Sequence, residues 1–344
     1  MLKNLKKLKM VDNGKIIIES RIIAFDSFME KLRENAIVKR KVNLTNFKQY
    51  DAFVYKRDDF KDLDKEDLAY EHCLELTIKF FHGKTTIDIT NSLRKWYFGK
   101  KSMRNFNLTS YKKCLKLIAK KLSIEYEVLL NAKITILEVG INLKLSSDFS
   151  PFLMTIMHHK RLGERCILNK GTVGFDGEFL KLIFYDKLKE LYDKTDMLLK
   201  TYKKVSEKYF FLRIEVGFKS VSGVAFAKNN TRTVKDLIEN WESVYDYIVS
   251  EIKNVTFFDW ISPKVVEKIK FNKASEFYDW MLFSTIDEKG IGNLVSIVNK
   301  YLNRPSIHRN ILKELSDRFR DLKKPSFDSV IFEQIYDAKR YIIS

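Results

Sequence analysis

One long segment, Tyr209–Lys219, has an apolar residue at every second position. Alternation over this length is typical of a β-strand that buries one face. The opposite face carries a carboxylate, Glu215, between the cations Arg213 and Lys219. The chain must therefore fold so that one side of this strand is covered while these charges lie on the other.

The same pattern occurs in two further segments, Ile134–Leu145 and Phe179–Lys187. Opposite their apolar rows they carry Glu138, Asn142 and Lys144 in the first, and Lys181, Tyr185 and Lys187 in the second. Since side chains of one strand alternate between the two faces of a sheet, we expect the three strands to share a polar face. Acids, lysines and a tyrosine on one face are suited to a reaction centre.

The rest of the chain predicts an α+β fold. It consists of a mostly antiparallel sheet with helices on one face, followed by a helical C-terminal region. The predicted domains are an N-terminal arm and first-strand region (1–70), a central α+β domain (71–224) and the helical region (225–344). The predicted strands are Lys15–Phe25 and the hairpin His72–Phe80 with Thr85–Thr90; the predicted helices are Thr109–Leu122, Ser150–Met157, Leu188–Glu207, Thr233–Lys253, Ala274–Ile286, Ile291–Leu302 and Ile307–Leu322.

The charge balance favours nucleic acid as a partner. Lys and Arg number 63 against 45 Asp and Glu, a formal net charge of +18. A surplus of this size attracts nucleic acid or anionic membranes, although a lysine-rich composition also arises in AT-rich genomes. No apolar run reaches the roughly 18 residues of a membrane span. Three scattered cysteines without a CxxC spacing disfavour a cysteine zinc site and indicate a reducing, cytoplasmic location.

The segment Asn91–Asn105 interleaves cations with aromatic residues and has little apolar periodicity. Such a segment suits a loop that contacts phosphates and stacks on bases; a solvated loop anchored by one tryptophan is the alternative. The candidate DNA-binding residues are Arg94, Lys95, Trp96, Lys100, Lys101 and Arg104, together with Lys181 on its strand.

Four stretches, in this order, carry a resemblance to a known family: Asp88–Tyr97, Leu137–Asn142, Lys181–Glu190 and Leu212–Lys219. They resemble segments of phage and plasmid rolling-circle replication initiators of the gene II/X type. With the residues around them, they cover about residues 70–250, some half of the chain. The chain departs from the family at Arg94, where such proteins often have histidine.

The resemblance implies an enzyme that nicks one strand of a circular DNA and remains joined to its 5′ phosphate through a tyrosine. It implies Tyr185 as the nucleophile, with Tyr192, Tyr202 and Tyr209 as alternatives. Lys187 and Arg213 are expected to hold phosphate or to lower the pKa of that tyrosine. Mg²⁺ or Mn²⁺ is expected at Glu138 and Glu215, with Asp186 as a weaker third ligand. For Glu215 the alternative is an ion pair with Arg213 or with a lysine of a neighbouring strand.

The expected partners are origin DNA, supercoiled or single-stranded, and a host helicase or polymerase; no membrane is expected. The alternative function is a basic DNA-binding protein without catalysis, such as a theta-type initiator or a regulator. Both would bind DNA in a salt-sensitive way, but only the enzyme needs the tyrosine. The pair His158–His159 is either a metal-ligand pair or the polar end of a helix.

Overall fold

The computed structural model describes residues 11–20, 24–44, 46–64, 71–100, 102–145, 153, 156–164, 166–169, 171–194, 197, 199–221, 231–257 and 327–343. Within these residues the protein has the predicted α+β fold. The strands are β1 (Val11–Ser20), β2 (Ala36–Leu44), β3 (Phe47–Val54), β4 (Leu74–Phe81), β5 (Lys84–Thr90), β6 (Lys133–Leu145), β7 (Ile156–His159), β8 (Gly163–Glu164), β9 (Cys166–Asn169), β10 (Thr172–Asp176), β11 (Leu180–Asp186), β12 (Phe210–Phe218) and β13 (Val255–Phe257).

The helices account for most of the remaining described residues. They are α1 (Phe25–Asn35), α2 (Leu93–Phe98), α3 (Leu108–Leu122), α4 (Tyr126–Leu130), α5 (Lys187–Lys194), α6 (Leu199–Ser206), α7 (Val234–Glu239), α8 (Trp241–Lys253) and α9 (Phe327–Ile343). None of the described helices is long and apolar enough to cross a bilayer.

Ten strands form one sheet in the order β2-β3-β4-β5-β1-β6-β12-β11-β10-β9, and β13-β7-β8 form a small second sheet. Every named pair is antiparallel. The three strands with the charged faces are neighbours, because β12 lies between β6 and β11. Since β1 lies between β5 and β6, the ten-stranded sheet contains strands from both sides of residue 70.

The alternating strands bury their apolar rows in one continuous core. Val139 pairs with Val216, and Ile214 pairs with Ile141 on one side and Phe184 on the other. These side chains belong to the same buried cluster as Leu32 of α1, Trp96 of α2, Ile118 of α3 and Ile248 of α8. Removing this apolar surface from water is the main driving force for the arrangement.

The hairpin, the helix Thr109–Leu122 and the three central strands are confirmed to within a few residues. The first predicted strand is wrong at its end, because Phe25 begins α1 and packs against Tyr50 and Phe80. The segment Asn91–Asn105 contains the helix α2, which Ser92 caps by accepting a hydrogen bond from the Lys95 amide.

Other predictions differ in detail. Ile156 and Met157 belong to strand β7, which pairs with β13, so the predicted helix does not extend over them. The single helix predicted for Leu188–Glu207 is divided into α5 and α6. The predicted helices Ala274–Ile286, Ile291–Leu302 and Ile307–Leu322 lie outside the described residues.

A buried ionic cluster joins β7 to α8. His159 and Glu251 are both almost fully buried, and the Nε2 atom of His159 lies 3.4 Å from the Glu251 carboxylate. The Nδ1 atom of His159 accepts hydrogen bonds from the backbone amides of Arg161 and Leu162, while Arg161 pairs with Glu251. His159 therefore joins β7 to α8, and both of its ring nitrogens make polar contacts. His158, which is exposed, is the other member of the predicted ligand pair.

We expect Glu251→Ala to lower the free energy of unfolding by about 2–4 kcal/mol, because it removes the buried partner of His159 and Arg161. Urea denaturation measures this change. Glu242→Ala on the same helix is the matched control: its side chain is 57% exposed and pairs with Lys339, so a change below about 0.5 kcal/mol is expected. Equal effects of the two variants would contradict the structural role of the cluster.

Candidate functional site

The polar face of β6, β12 and β11 brings the predicted residues into two adjacent rows. In the first row Arg213 lies between Asn142 of β6 and Tyr185 of β11. In the second row Glu215 lies between Gly140 and Ile183. The prediction that these strands share a polar face is confirmed by the register.

Four side chains of these rows form a connected network. The Tyr185 hydroxyl donates a 2.7 Å hydrogen bond to Oε1 of Glu215. The same oxygen accepts a hydrogen bond from Nε of Arg213, while Nη1 of Arg213 donates to Oδ1 of Asn142 at 2.9 Å. Arg213 is fully buried, so its charge requires these partners.

Gly140 makes room for the Arg213 guanidinium. A Cβ atom at this position would lie 2.3 Å from Nη2 of Arg213 and 3.1 Å from Cγ of Glu215. Gly140 ends the motif Leu-Glu-Val-Gly on β6, and β12 carries the matching motif Ile-Glu-Val-Gly, which ends at Gly217. Because Val139 pairs with Val216, a local two-fold axis relates the motifs, and each glutamate faces a glycine. At Gly217 a Cβ atom would lie no closer than 3.9 Å to Lys181.

The segment after α2 folds over this face. Nδ2 of Asn142 donates to the Met103 carbonyl at 3.2 Å and to Oδ1 of Asn105 at 2.9 Å. Nη1 of Arg94 donates to the Ser102 carbonyl at 2.7 Å. These contacts place the buried Arg94 beside the network, and its charge acts on Lys187.

Lys187 follows β11 directly and is almost fully buried. Its pKa is lowered to about 8, mainly by burial; the charges of Arg213 and Arg94 act in the same direction, and Glu190 acts against them. Burial by itself would raise the pKa of Glu190, but its ion pair with Lys187 dominates and brings that pKa to about 2. Glu190 therefore stays ionised across the physiological range.

Tyr185 differs from the sequence expectation in the direction of its pKa. Burial raises the pKa of its phenol above the ordinary value, and the carboxylate of Glu215 adds to this, although Arg213 acts in the lowering direction. The proton therefore stays on Tyr185 and is directed at Glu215. A carboxylate at hydrogen-bond distance from a hydroxyl is the geometry of a base that can remove this proton.

The three predicted metal ligands do not converge on one point. Glu138 lies on the same face as Glu215, diagonally across from it, since Glu138 pairs with Gly217 and Glu215 with Gly140. Diagonal neighbours have Cα atoms about 7–8 Å apart. Asp186 pairs with Leu212 on the apolar side and accepts a hydrogen bond from the Lys189 amide at the start of α5. Among the described residues, no group of three His, Cys, Asp or Glu side chains could hold a metal.

The predicted DNA-binding residues fall into two groups. Trp96 is in the core, where its Nε1 donates to the Val54 carbonyl at 2.9 Å, so it cannot stack on bases. Arg94 is buried as described above, whereas Lys95, Lys100 and Lys181 are partly exposed and Arg104 is exposed. Lys101 lies outside the described residues.

Of the alternative tyrosines, Tyr192 and Tyr202 stack on each other with ring centroids 4.6 Å apart. The ring of Tyr209 lies under Nζ of Lys144 at 3.4 Å. Asn142 of the network is not among the predicted site residues, and neither are Asn105, which contacts Asn142, and Glu190, which pairs with Lys187. A polar residue between apolar neighbours on a strand could have identified Asn142 from the sequence. The contact of Asn105 with Asn142 depends on the tertiary fold, so no sequence pattern predicts it.

Comparison of the chain with protein-family models, curated proteins and solved structures gave no significant match. The resemblance to rolling-circle initiators therefore stays a prediction from the four stretches.

We expect Gly140→Ala to displace the Arg213 guanidinium and to lower the free energy of unfolding by about 1–3 kcal/mol, because the added methyl group overlaps Nη2. Gly217→Ala is the control at the symmetry-related position, where the methyl group meets only ordinary contacts. Urea denaturation of both variants measures the difference. If the two variants have the same free energy of unfolding, Arg213 does not lie as close to Gly140 as described.

Proposed function

We propose that the protein is a DNA nicking and joining enzyme in which Tyr185 attacks a phosphodiester and remains bonded to the 5′ phosphate. The observation that carries the proposal is the Tyr185 hydroxyl donating to Glu215 among the buried cations Arg213, Lys187 and Arg94. A phenol, a base and positive charge are the three requirements of a tyrosine nucleophile that acts on phosphate.

The reaction follows from these groups. Glu215 takes the phenolic proton as the Tyr185 oxygen bonds to phosphorus, and the bond from phosphorus to the 3′ oxygen breaks. The 3′ oxygen takes a proton from water and leaves as a hydroxyl, and Glu215 then returns the phenolic proton to water. The phosphotyrosine retains the energy of the broken bond, so attack by a 3′ hydroxyl reverses the step and rejoins the strand without a further energy source.

The cations offset the negative charge that develops on the phosphate. The Arg213 guanidinium is fixed by Glu215 and Asn142, so it is preorganised and need not be ordered during the reaction. Lys187 lies with its Nζ 5.7 Å from the centre of the Tyr185 ring. A bound phosphate adds a negative charge beside this ammonium group and thereby favours its protonated form.

A divalent cation of the kind that the resemblance implies would be held by Glu138 and Glu215, which lie on the same face of the sheet. Mg²⁺ commonly takes one or two carboxylates and completes its shell with water and substrate phosphate. When bound there, Mg²⁺ or Mn²⁺ would polarise the scissile phosphate. Asp186, which caps α5, is not included.

The biological role proposed is initiation of rolling-circle replication at the origin of a small circular DNA. The order of the four stretches and the net charge of +18 support it. The C-terminal helical region is proposed to recognise the origin or a host helicase.

Incubation of the protein with a supercoiled circle bearing its origin, with Mg²⁺ or Mn²⁺, tests this function. We expect a covalent protein–DNA adduct that survives denaturation, and peptide mapping should locate it at Tyr185. Tyr185→Phe should form no adduct, and Glu215→Gln should slow its formation by roughly 10²–10⁴-fold. Tyr192→Phe, whose ring stacks on Tyr202, is the control that should retain the adduct.

An adduct that persists in Tyr185→Phe would place the nucleophile elsewhere. If neither nicks nor an adduct form with either metal on DNA that the protein binds, the non-catalytic alternative is correct.

The pKa of Lys187 predicts how nicking depends on pH. If the ammonium form is required, kcat/KM should fall as the pH rises through about 8, because kcat/KM follows ionisation of the uncomplexed enzyme. Lys187→Arg keeps its positive charge at all of these pH values, so the fall in kcat/KM should occur at a higher pH. Lys187→Met should be slow throughout. A profile of the wild-type protein that is flat to pH 10 would exclude this role.

A further inference from the structure

The polar face continues past the network toward the beginning of β12. Strand alternation places Phe211 on the same side as Arg213, and Phe211 pairs with Lys144 of β6. Tyr209 precedes β12, and its ring lies under Nζ of the same Lys144. Two aromatic rings and a lysine therefore lie together beside the network. We define Tyr209, Phe211 and Lys144 as the aromatic track.

Tyr209 is held at the surface and does not belong to the core. It is 42% exposed, and Nζ of Lys144 lies 3.4 Å from its ring centroid. The backbone amide of Tyr209 donates a 2.9 Å hydrogen bond to the Val205 carbonyl, so the backbone that carries the ring is attached to the end of α6. The ring is thus both ordered and accessible, which reduces the entropy lost when a ligand stacks on it.

The spacing and charge of the track fit a single nucleic-acid strand. Two residues of a β-strand advance by about 6.6 Å, which is comparable with one nucleotide of an extended strand. Bases stack on aromatic rings without regard to sequence, while cations follow the phosphates. Further exposed cations lie on α6 and directly after it: Lys200, Lys203, Lys204 and Lys208.

We propose that the aromatic track binds the nucleotides that flank the bond cut at Tyr185, with one base on Tyr209 and a phosphate at Lys144. This assignment rests on the proposed function for the position of the cut, but binding to the track requires no chemistry. The ligand is single-stranded DNA, because the stacking surfaces of bases in a duplex are already covered by their neighbours.

The test measures binding in a background that cannot nick. Full-length Tyr185→Phe is titrated into a fluorescein-labelled oligothymidylate of about 12 nucleotides, within the site sizes of such proteins, and anisotropy gives Kd. Adding Tyr209→Ala should weaken binding by about tenfold, within the range for loss of one stacked base. Tyr209→Phe, which keeps the ring, should bind within twofold of the parent.

Two further variants distinguish the contribution of base stacking to binding from that of charge and from the effect of removing any exposed ring. Phe179→Ala removes an equally exposed ring, 43% accessible, beyond the opposite end of β11, and should leave Kd within twofold. Lys144→Ala should reduce the slope of log K against log salt by about 0.7, the value for one phosphate of a single strand. Tyr209→Ala should leave this slope unchanged.

Failure of the track and failure of the proposed function give different results. If Tyr209→Ala binds as the parent does, or if the parent itself does not bind the oligonucleotide, the track is wrong whatever the adduct assay gives. If Tyr209→Ala loses binding but the wild-type protein forms no adduct, the track stands as a single-strand binding surface and nicking at Tyr185 is excluded.

Discussion

The site depends on one buried charge. The Arg213 guanidinium lies fully buried on the polar face and is stabilised by Glu215 on its own strand and by Asn142 on the next. A buried cation is costly unless its hydrogen bonds are made, so the positions of both partners are fixed by this requirement. Glu215 is thereby oriented toward Tyr185, and Asn142 is held against the segment that covers the face.

This constraint explains two features that have no role in the apolar core. Gly140 has no side chain because the guanidinium occupies the space above it. Arg94, Lys187 and Arg213 lie close enough for the two arginines to lower the pKa of Lys187, and Glu190 limits this effect. Like charges in one buried region oppose folding unless anions neutralise them. In this structure Arg213 pairs with Glu215 and Lys187 pairs with Glu190.

Sequence pattern was sufficient where a periodic apolar row covered a whole element. It identified β6, β11, β12 and α3 and the shared polar face of the three strands. It missed β2 and β3, because the consecutive cations at 39–41 and the irregular pairing between Arg40 and Val42 interrupt the alternation of β2. The sequence pattern also predicted Trp96 as a DNA-binding residue, because a tryptophan among cations is typical of a surface segment. In the structure α2 directs its side chain into the core.

The sequence by itself determined which face of each central strand carries charge, because side-chain alternation is a local property of an extended chain. It therefore identified Tyr185, Arg213, Glu215 and Glu138 as residues of one face. Only the tertiary structure decided that Glu215 pairs with Tyr185 and Arg213, that Asp186 caps a helix, and that Arg94, more than 100 positions before Arg213, lies beside Lys187. These contacts depend on strand order and register, which are set by packing of the whole core.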